Sequence, residues 1–330
     1  MHRCSRTTFE SSKARIADNQ PLVSVVIPTF NRRRDLADLL NSIINGNYPV
    51  DKLQVIIVDD CSSDGTEETV RMFSRENRAL DLLYIRHARE TLVGQSINDG
   101  ILKAKSEYVF VIDDDNTIDG DAIHVLVNSM VENANLAVAG PVTYYRDSPK
   151  RVQYAGCTYS RVSRKTSHQL ANLTDIGQIR NRMMTVDAIP NSFMVRRSVA
   201  LRAGLIPTQK IPWNGEDGYL QYKMKMLGYR VVVLGDAKVF HRRPLDIKQT
   251  YNPMRLYFAL RSKIVFHSDL DTGLNRFTFF LFVPAYLFWY VRVGLLLPRP
   301  GECTKAVVLG TLHGLLYAST GRIRNRYFAQ

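Results

Sequence analysis

Tyr108-Val109-Phe110-Val111-Ile112-Asp113-Asp114-Asp115-Asn116 is the stretch on which the reading of this chain turns. An apolar run rich in β-branched residues predicts a buried strand, and three carboxylates stand directly at its carboxyl end. Adjacent carboxylates repel one another and raise each other's proton affinity. A hard divalent cation, Mg²⁺ or Mn²⁺, relieves that repulsion, commonly through one or two carboxylates together with substrate phosphates and water. A solvated acidic turn ahead of a helix near 123–131 would account for the same letters, so the surrounding pattern decides.

Upstream, residues 22–29 (LVSVVIPT) form another β-branched run, closed by Pro28 and a polar turn. Leu36, Leu39, Leu40 and Ile43 then recur at helical spacing, with Asp35 suited to the helix start. Residues 53–58 (LQVIIV) repeat the strand pattern and run into Asp59 and Asp60, and Thr66 suits the cap of a helix carrying Val70 and Phe73 inward. A third strand over 82–85 and a helix over 96–105 precede the aspartate strand. Strands alternating with helices predict an α/β fold: parallel pairing, right-handed crossovers and helices on both faces. Ligands in such sheets bind beyond the carboxyl ends of the strands. Those ends carry Pro28–Asn31, Asp59-Asp60 and Asp113–Asp115, so the acidic clusters all fall where a ligand would sit.

These pieces resemble glycosyltransferase family 2, whose catalytic domain has the GT-A fold. The resemblance rests on Val25-Val26-Ile27-Pro28-Thr29-Phe30-Asn31, Val58-Asp59-Asp60-Cys61-Ser62-Ser63-Asp64-Gly65-Thr66, the Asp113–Asp115 triplet and Gly215-Glu216-Asp217-Gly218-Tyr219, in family order over about residues 21–245. It implies that Pro28, Thr29, Phe30 and Asn31 meet the nucleotide, with Phe30 stacking on the base. One of Asp59 and Asp60, Asp60 before Asp59, would accept a hydrogen bond from the base. Asp113 and Asp115 would form the DxD pattern, Asp115 on the metal and Asp113 or Asp114 nearer the ribose, with Asp113 also a candidate metal ligand. Asn98 matches the family's segment ahead of that strand. The arginine that family members often carry before this asparagine is replaced by Ile97, which shifts attention to Arg86 or Arg89.

In the second half, residues 191–197 read as a strand leading to a helix near 199–203. Glu216-Asp217 opens a helix with Leu220, Met224 and Leu227 facing inward, ended by Gly228. Acidic residues at a helix start also have a dipole explanation. The resemblance points to Asp217 as general base, with Glu216 as the alternative, because an attacking hydroxyl must lose its proton to a fixed carboxylate. Residues 230–234 predict a strand and 235–240 a turn. The histidine after them, His241, is a further candidate metal or diphosphate contact, and Arg242 and Arg243 would suit diphosphate oxygens.

The 330 residues carry a formal charge of +13, with 45% hydrophobic and 23% charged residues. That composition suits a folded protein meeting phosphate or an anionic surface. Cys4, Cys61, Cys157 and Cys303 lie apart with no CxxC pair, which argues against a zinc site or a disulfide framework and suits a reducing compartment. Residues 1–20 are polar, predicting a disordered lead-in and a catalytic part in the cytoplasm.

After about 250 the character changes. Residues 277–291 (FTFFLFVPAYLFWYV) are apolar and aromatic but short for a span and interrupted by Pro284. With the apolar stretch 306–318 and basic flanks they predict a C-terminal apolar helical hairpin lying on anionic lipid, a spanning or domain-packed pair being the alternatives. The organisation expected is therefore a lead-in (1–20), a GT-A catalytic domain (21–250, donor half 21–140 and acceptor half 141–250) and a membrane-associating tail (251–330).

The function expected is inverting, metal-dependent transfer of one sugar from a nucleotide-diphosphate donor to a hydroxyl of a lipid-linked or cell-envelope glycan. The place expected is the cytoplasmic face of the cell membrane, without nucleic acid and with a homo-oligomer left open. A nucleotidyltransferase acting on sugar phosphates would need a glycine-rich basic loop after the first strand, and Arg32–Arg34 lack the glycines. A non-enzymatic basic binding protein would find the acidic strand ends a liability.

Overall fold

The computed structural model describes residues 20–160, 162–174, 177, 179–242 and 251–324. The lead-in over residues 1–19 and Arg243 lie outside them. The β-branched runs form strands β1 (Val23–Thr29), β2 (Leu53–Asp59), β3 (Asp81–Arg86) and β4 (Tyr108–Ile112), joined by helices α1 (Arg33–Ile44), α2 (Thr66–Glu76) and α3 (Val93–Lys103). β1 pairs in parallel with both β2 and β4, and β2 with β3. The Thr66 hydroxyl does not cap α2; Gly65, in the left-handed region at φ 91°, takes the cap position.

Short β5 (Asn116–Ile118) and helix α4 (Ala122–Glu132) follow the aspartates. Next come β6 (Leu136–Tyr145), β7 (Ser148–Tyr154), β8 (Cys157–Tyr159), β9 (Thr166–His168), β10 (Met183–Thr185), β11 (Ser192–Arg196), α5 (Arg197–Arg202), α6 (Glu216–Met226) and β12 (Arg230–His241). The main sheet runs β10-β12-β6-β11-β4-β1-β2-β3, with β5 added on β12 and β7 on β6. It is mixed rather than parallel: β11 lies antiparallel between β4 and β6. Helices cover both faces. Leu36, Leu39 and Ile43 of α1 and Leu126 of α4 pack on one face, and Ile97 of α3, Val199 of α5 and Leu220 of α6 on the other.

The turn expected over 235–240 is instead part of β12, which continues to His241 with a register shift between Leu234 and Lys238. Gly235 marks the irregularity, since a Cβ there would lie 1.8 Å from the Ile179 carbonyl oxygen. A Gly-Asp pair reads locally as a turn, but here it is a break inside a strand. The consequence is functional, because the continued strand carries His241 back to the end of β4.

The two apolar helices expected of the tail are α8 (Gly273–Leu295) and α9 (Pro300–Thr320), and a further helix, α7 (Pro253–Leu270), precedes them. Asn252 caps α7 by accepting the Arg255 N–H, with Pro253 at the first helical position. α7 is buried almost all round, which removes the one-sided periodicity by which a surface helix is recognised. Its buried Arg261 donates to the carbonyls of Lys210 (2.7 Å) and Arg324 (3.0 Å). Its buried His267 lies 2.9 Å from Asp271, which also takes a two-pronged bond from Arg164.

α9 meets α7 through small residues. A Cβ at Gly310 would lie 2.2 Å from the Tyr257 carbonyl oxygen, and one at Gly314 would lie 3.0 Å from Ile264. Gly310→Val forces the two backbones apart, so we expect a loss of about 1–3 kcal/mol in chemical denaturation. Unchanged stability would mean that the helices do not meet there.

α8 runs unbroken through Pro284 for 23 residues, about 34 Å. It is long and apolar enough to cross a membrane by length and composition alone. One face, with Phe279, Val283 and Val293, packs inward. The other exposes Leu274, Phe277, Leu281, Phe288 and Leu295, recurring at i, i+3, i+7, i+14 and i+21, with Leu281 62% and Phe288 66% exposed.

Candidate active site

The carboxyl ends of β1 and β4 open into a cleft of about 730 Å³, closed on the far side by the α6 start, α7 and α8. Pro28, Thr29, Phe30, Asp60, the three aspartates, Glu216, Asp217 and His241 all line it. Asn31, Asp59 and Asn98, expected to contact the donor, do not. Each of them instead bonds neighbouring protein groups.

Asn31 (φ 53°) donates its N–H to Ser62 Oγ and accepts the Ser63 N–H, each at 2.8 Å, tying the first strand end to the second. Asp59 is fully buried, accepts the Ser62 N–H at 2.8 Å and takes the Tyr84 hydroxyl. Arg86 reaches the Ser62 carbonyl at 3.0 Å in the same corner. Asn98 donates to the Ile206 carbonyl at 2.8 Å and accepts the Ile206 N–H at 3.0 Å, which uses both ends of its amide on one backbone unit.

Asp60 faces the cleft while holding the loop before α3. Its Oδ1 accepts the N–H and hydroxyl of Thr91, both at 2.8 Å, and its Oδ2 accepts the Leu92 N–H at 2.7 Å. His87 Nδ1 also lies 2.8 Å from it.

The three aspartates take separate environments. Asp114 accepts the Thr29 hydroxyl at 2.7 Å and the Arg32 guanidinium at 3.1 Å, and burial pushes its carboxyl up to about 7 against the opposing pull of Arg32. Burial, then repulsion from Asp115, Asp217 and Asp114, raises Asp113 well above the usual carboxylate range. Burial would raise Asp115 too, but the adjoining His241 imidazole and then Arg32 bring it down to about 2.

Asp115 Oδ2 bonds Arg32, whereas its buried Oδ1 has no well-formed hydrogen bond and lies 3.3 Å from His241 Nε2. His241 is held by Gln153 Oε1, 2.9 Å from its Nδ1. An unsatisfied carboxylate oxygen beside an imidazole nitrogen suits a divalent cation. Among the described residues no three acidic, histidine or cysteine side chains cluster to hold an ion unaided. The remaining ligands would therefore come from substrate oxygens and water. Arg242 reaches Asp35 at 2.7 Å from the cleft rim.

The second carboxylate pair arrives on a sharp turn. Asn214 (φ 62°) and Gly215 (φ 131°) are both left-handed and lift the start of α6 toward the aspartates. Glu216 Oε2 accepts the Gly215 N–H at 2.8 Å. Burial, then the Asp113 charge, pushes Glu216 up to about 7. Burial, then Glu216, raises Asp217 well above its ordinary range, while the Asn191 N–H 3.3 Å from its Oδ2 opposes the rise.

Asn191 joins the halves. Its main chain meets Asp217, its carbonyl accepts the Asp113 N–H at 2.9 Å, and its Nδ2 lies 3.3 Å from the His241 ring nitrogens. Sequence reasoning included Asn191 only as the start of a strand, and it missed Arg32, Gln153, Trp213, Arg255 and Tyr290 on or behind this cleft. Only the asparagine's tolerance of the left-handed region, used here at φ 68°, hints at its place.

A raised carboxyl favours the folded state while protonated. The Glu216 contribution is therefore full below the ordinary value of about 4.3 and is lost as pH rises through about 7. Ligand-free Glu216→Gln should gain on the wild type by up to about 3 kcal/mol between about pH 5 and about pH 8 in denaturant melts. A constant difference across that window would mean that Glu216 is already ionised in the native cleft.

The Glycosyl transferase family 2 profile matches residues 24–201, more than half of the 330 residues. The putative teichuronic acid biosynthesis glycosyltransferase TuaG of Bacillus subtilis is 28% identical over 115 residues, 35% of this chain and 44% of that protein. Glycosyltransferase GlyA of Streptococcus pneumoniae is 25% identical over 225 residues, 67% of this chain and 30% of that protein. The matches thus span less than half of these relatives.

Among solved structures, mannosyltransferase PcManGT from Pyrobaculum calidifontis, in complex with GDP-Man and Mn²⁺, superposes with a TM-score of 0.56. It is 16% identical, covering 94% of this chain and 83% of that one. Staphylococcus aureus TarS 1–349 in complex with UDP gives 0.51 at 16% identity, covering 91% and 92%. These likenesses establish the GT-A fold. With the profile laid over the sheet that gathers the strand-end acids into one cleft, the chain belongs to glycosyl transferase family 2.

Proposed function

We propose that the chain is an inverting glycosyltransferase moving one sugar from a nucleotide-diphosphate donor to a hydroxyl of a lipid-linked or cell-envelope glycan. The observation that carries this reading is Asn191, whose backbone and side chain touch Asp217 and His241 at 3.3 Å each. A carboxylate suited to taking a proton and the Asp115–His241 pair are thereby held on one cleft.

The donor half would bind with Phe30 against the base and Asp60 at its edge, while Thr29 keeps Asp114 oriented. Asp115 and His241 would hold Mg²⁺ or Mn²⁺ together with the diphosphate, and the cation would neutralise charge growing on the departing nucleotide. The structural neighbour PcManGT, in complex with GDP-Man and Mn²⁺, supports this coarsely. Arg32 balances the two aspartates nearest the diphosphate and keeps the carboxylates from repelling it. Across the cleft Asp217 would take the acceptor hydroxyl proton as the oxygen attacks the anomeric carbon. The nucleophile then approaches opposite the leaving group in one displacement, which inverts the configuration. The raised affinity of Asp217 for a proton suits a base of this kind.

The test is product analysis after incubation with a panel of nucleotide sugars, Mn²⁺ or Mg²⁺, and membrane extract. Sugar transfer that stops in EDTA supports the reading; nucleotidyl transfer, or no metal-dependent reaction with any donor, overturns it.

The outward face of α8 is proposed to lie on an anionic bilayer at the cytoplasmic face of the membrane, with exposed Arg276, Arg292 and Arg299 at lipid phosphates. Paired Leu281→Asp and Phe288→Asp should lower binding to phosphatidylglycerol vesicles at least tenfold in co-sedimentation, since each side chain contributes about 1.5–3 kcal/mol when buried. Equal sedimentation of variant and wild type would remove the bilayer from this face.

A further inference from the structure

Asp60, the carboxylate proposed at the base edge, is itself held from behind. Parallel pairing of β2 with β3 sets Asp59 beside Arg86, so Asp60 and His87 leave the two strand ends side by side. The His87 N–H closes this corner on the Asp59 carbonyl at 2.8 Å. The His87 ring, 11% exposed, stands between two carboxylates. Its Nδ1 lies 2.8 Å from Asp60 Oδ1, and its Nε2 lies 3.0 Å from Asp99 Oδ2 on α3. Ionised carboxylates only accept hydrogen bonds, so filling both contacts takes a proton on each ring nitrogen. The ring then carries a positive charge between two negative ones. His87 is not among the residues lining the cleft, so it acts on the donor through Asp60.

Asp99 is backed in turn. Its Oδ1 accepts Gln95 Nε2 at 3.0 Å, one helical turn earlier, and Gln95 Oε1 accepts the Thr208 hydroxyl at 3.0 Å. A line of bonds therefore runs from the turn at Thr208 through α3 to the cleft wall. On the other side, Asp60 holds Leu92 at φ 71°, in the left-handed region that such a side chain rarely adopts. Backbone of that kind persists only where its neighbours over-determine it.

The bonds leave Asp60 little freedom. A carboxylate has about four lone-pair sites, two on each oxygen. Oδ1 faces the Thr91 N–H, the Thr91 hydroxyl and His87 Nδ1, each at 2.8 Å. Among the described residues, Oδ2 accepts the Leu92 N–H alone, at 2.7 Å, which leaves it one site. Uracil and thymine present a single N–H between two carbonyls. Guanine presents adjacent N–H groups that would engage both carboxylate oxygens, and here one of them would stay unpaired at a cost.

We propose that His87, backed by Asp99, is a positioning residue that sets the base selectivity of the donor site. By occupying Oδ1 it leaves Asp60 one acceptor, suited to a uridine or thymidine diphosphate and not to a guanosine diphosphate. The assignment rests on the transferase reading above, with the donor base at Asp60.

The test is isothermal calorimetry on the full chain with UDP and with GDP, each in the presence of Mn²⁺. Wild type should bind UDP at least about tenfold more tightly than GDP. His87→Ala opens Oδ1 and frees the carboxylate to turn. UDP affinity should then fall about tenfold while GDP affinity holds, closing the preference to about threefold or less. His87→Asn, whose amide nitrogen reaches the Nδ1 position, should restore the preference, and Asp99→Ala should narrow it partway.

A residue that merely holds the loop would weaken both nucleotides alike, so an unchanged ratio in His87→Ala overturns the proposal. A wild type that prefers GDP, or that does not discriminate, overturns it too. Thermal melts accompany each variant. If His87→Ala does not fold, Asp99→Ala carries the comparison, and an unchanged ratio there is equally decisive. Wild type that takes neither nucleotide with Mn²⁺ sinks the donor reading and this assignment together, whereas a UDP preference kept in His87→Ala sinks this assignment alone.

Discussion

Asp217→Asn is expected to leave the fold and donor binding intact and to lower transfer to an acceptor hydroxyl by about 10²–10⁴-fold, the range that proton removal by a positioned base supplies. Asparagine keeps the shape and can still accept the Asn191 N–H, so the start of α6 need not move. What it cannot do is take a proton. The wild-type rate should rise with pH beyond the ordinary carboxylate range, because burial and then Glu216 hold the Asp217 carboxyl protonated there. The variant should lose that rise. Single-turnover transfer with saturating donor is the measurement, and an undiminished rate would pass the role to Glu216 or to the acceptor's own surroundings.

Asp115→Asn is expected to abolish metal-dependent donor binding and to lower turnover by about 10²–10³-fold, comparable to removing one preorganised electrostatic contact from a closed site. Asp115 is the only member of the triplet whose carboxyl is held below its usual range, and hence ionised when its neighbours are not. The buried Oδ1 beside His241 Nε2 is the oxygen a cation would take. The readout is Mn²⁺ binding by electron paramagnetic resonance with and without a nucleoside diphosphate. Wild type should take up Mn²⁺ tightly only when nucleotide is present, since two protein donors leave the coordination sphere incomplete. Tight nucleotide-dependent Mn²⁺ binding in Asp115→Asn would move the site elsewhere.

The two changes should also separate kinetically. Asp217→Asn strikes a step after the donor is bound, so donor KM should hold while kcat falls; Asp115→Asn should damage both. Their sites share Asn191, which bonds each half, so their effects should not add in the double variant.

Much of the donor half was legible in the sequence, and for a definite reason. β1, β2 and β4 are buried on both faces, so each appears as a mostly apolar run, interrupted only by Ser24 in β1 and Gln54 in β2, and acids stand where the β2 and β4 runs stop. Burial periodicity is a local property and can be read along the chain. The ordered motifs were enough to name the family before any geometry was known.

Local pattern was silent on what long-range pairing decided. Asn31, Asp59 and Asn98 stand beside their motifs, yet none lines the cleft, and each bonds protein groups: Asn31 meets Ser62 and Ser63, Asp59 meets Ser62 and Tyr84, and Asn98 meets Ile206. Gly235-Asp236 reads as a turn, yet pairing of β12 with β6 carries the strand through to His241. α7 shows no polar face because both of its sides are covered, one by the catalytic domain and one by α9. By itself the sequence determined which segments are buried and where acids interrupt them. Only the tertiary structure decided which of those acids face one another, because their distances and proton affinities depend on neighbours brought from far along the chain into a shared, poorly solvated cleft.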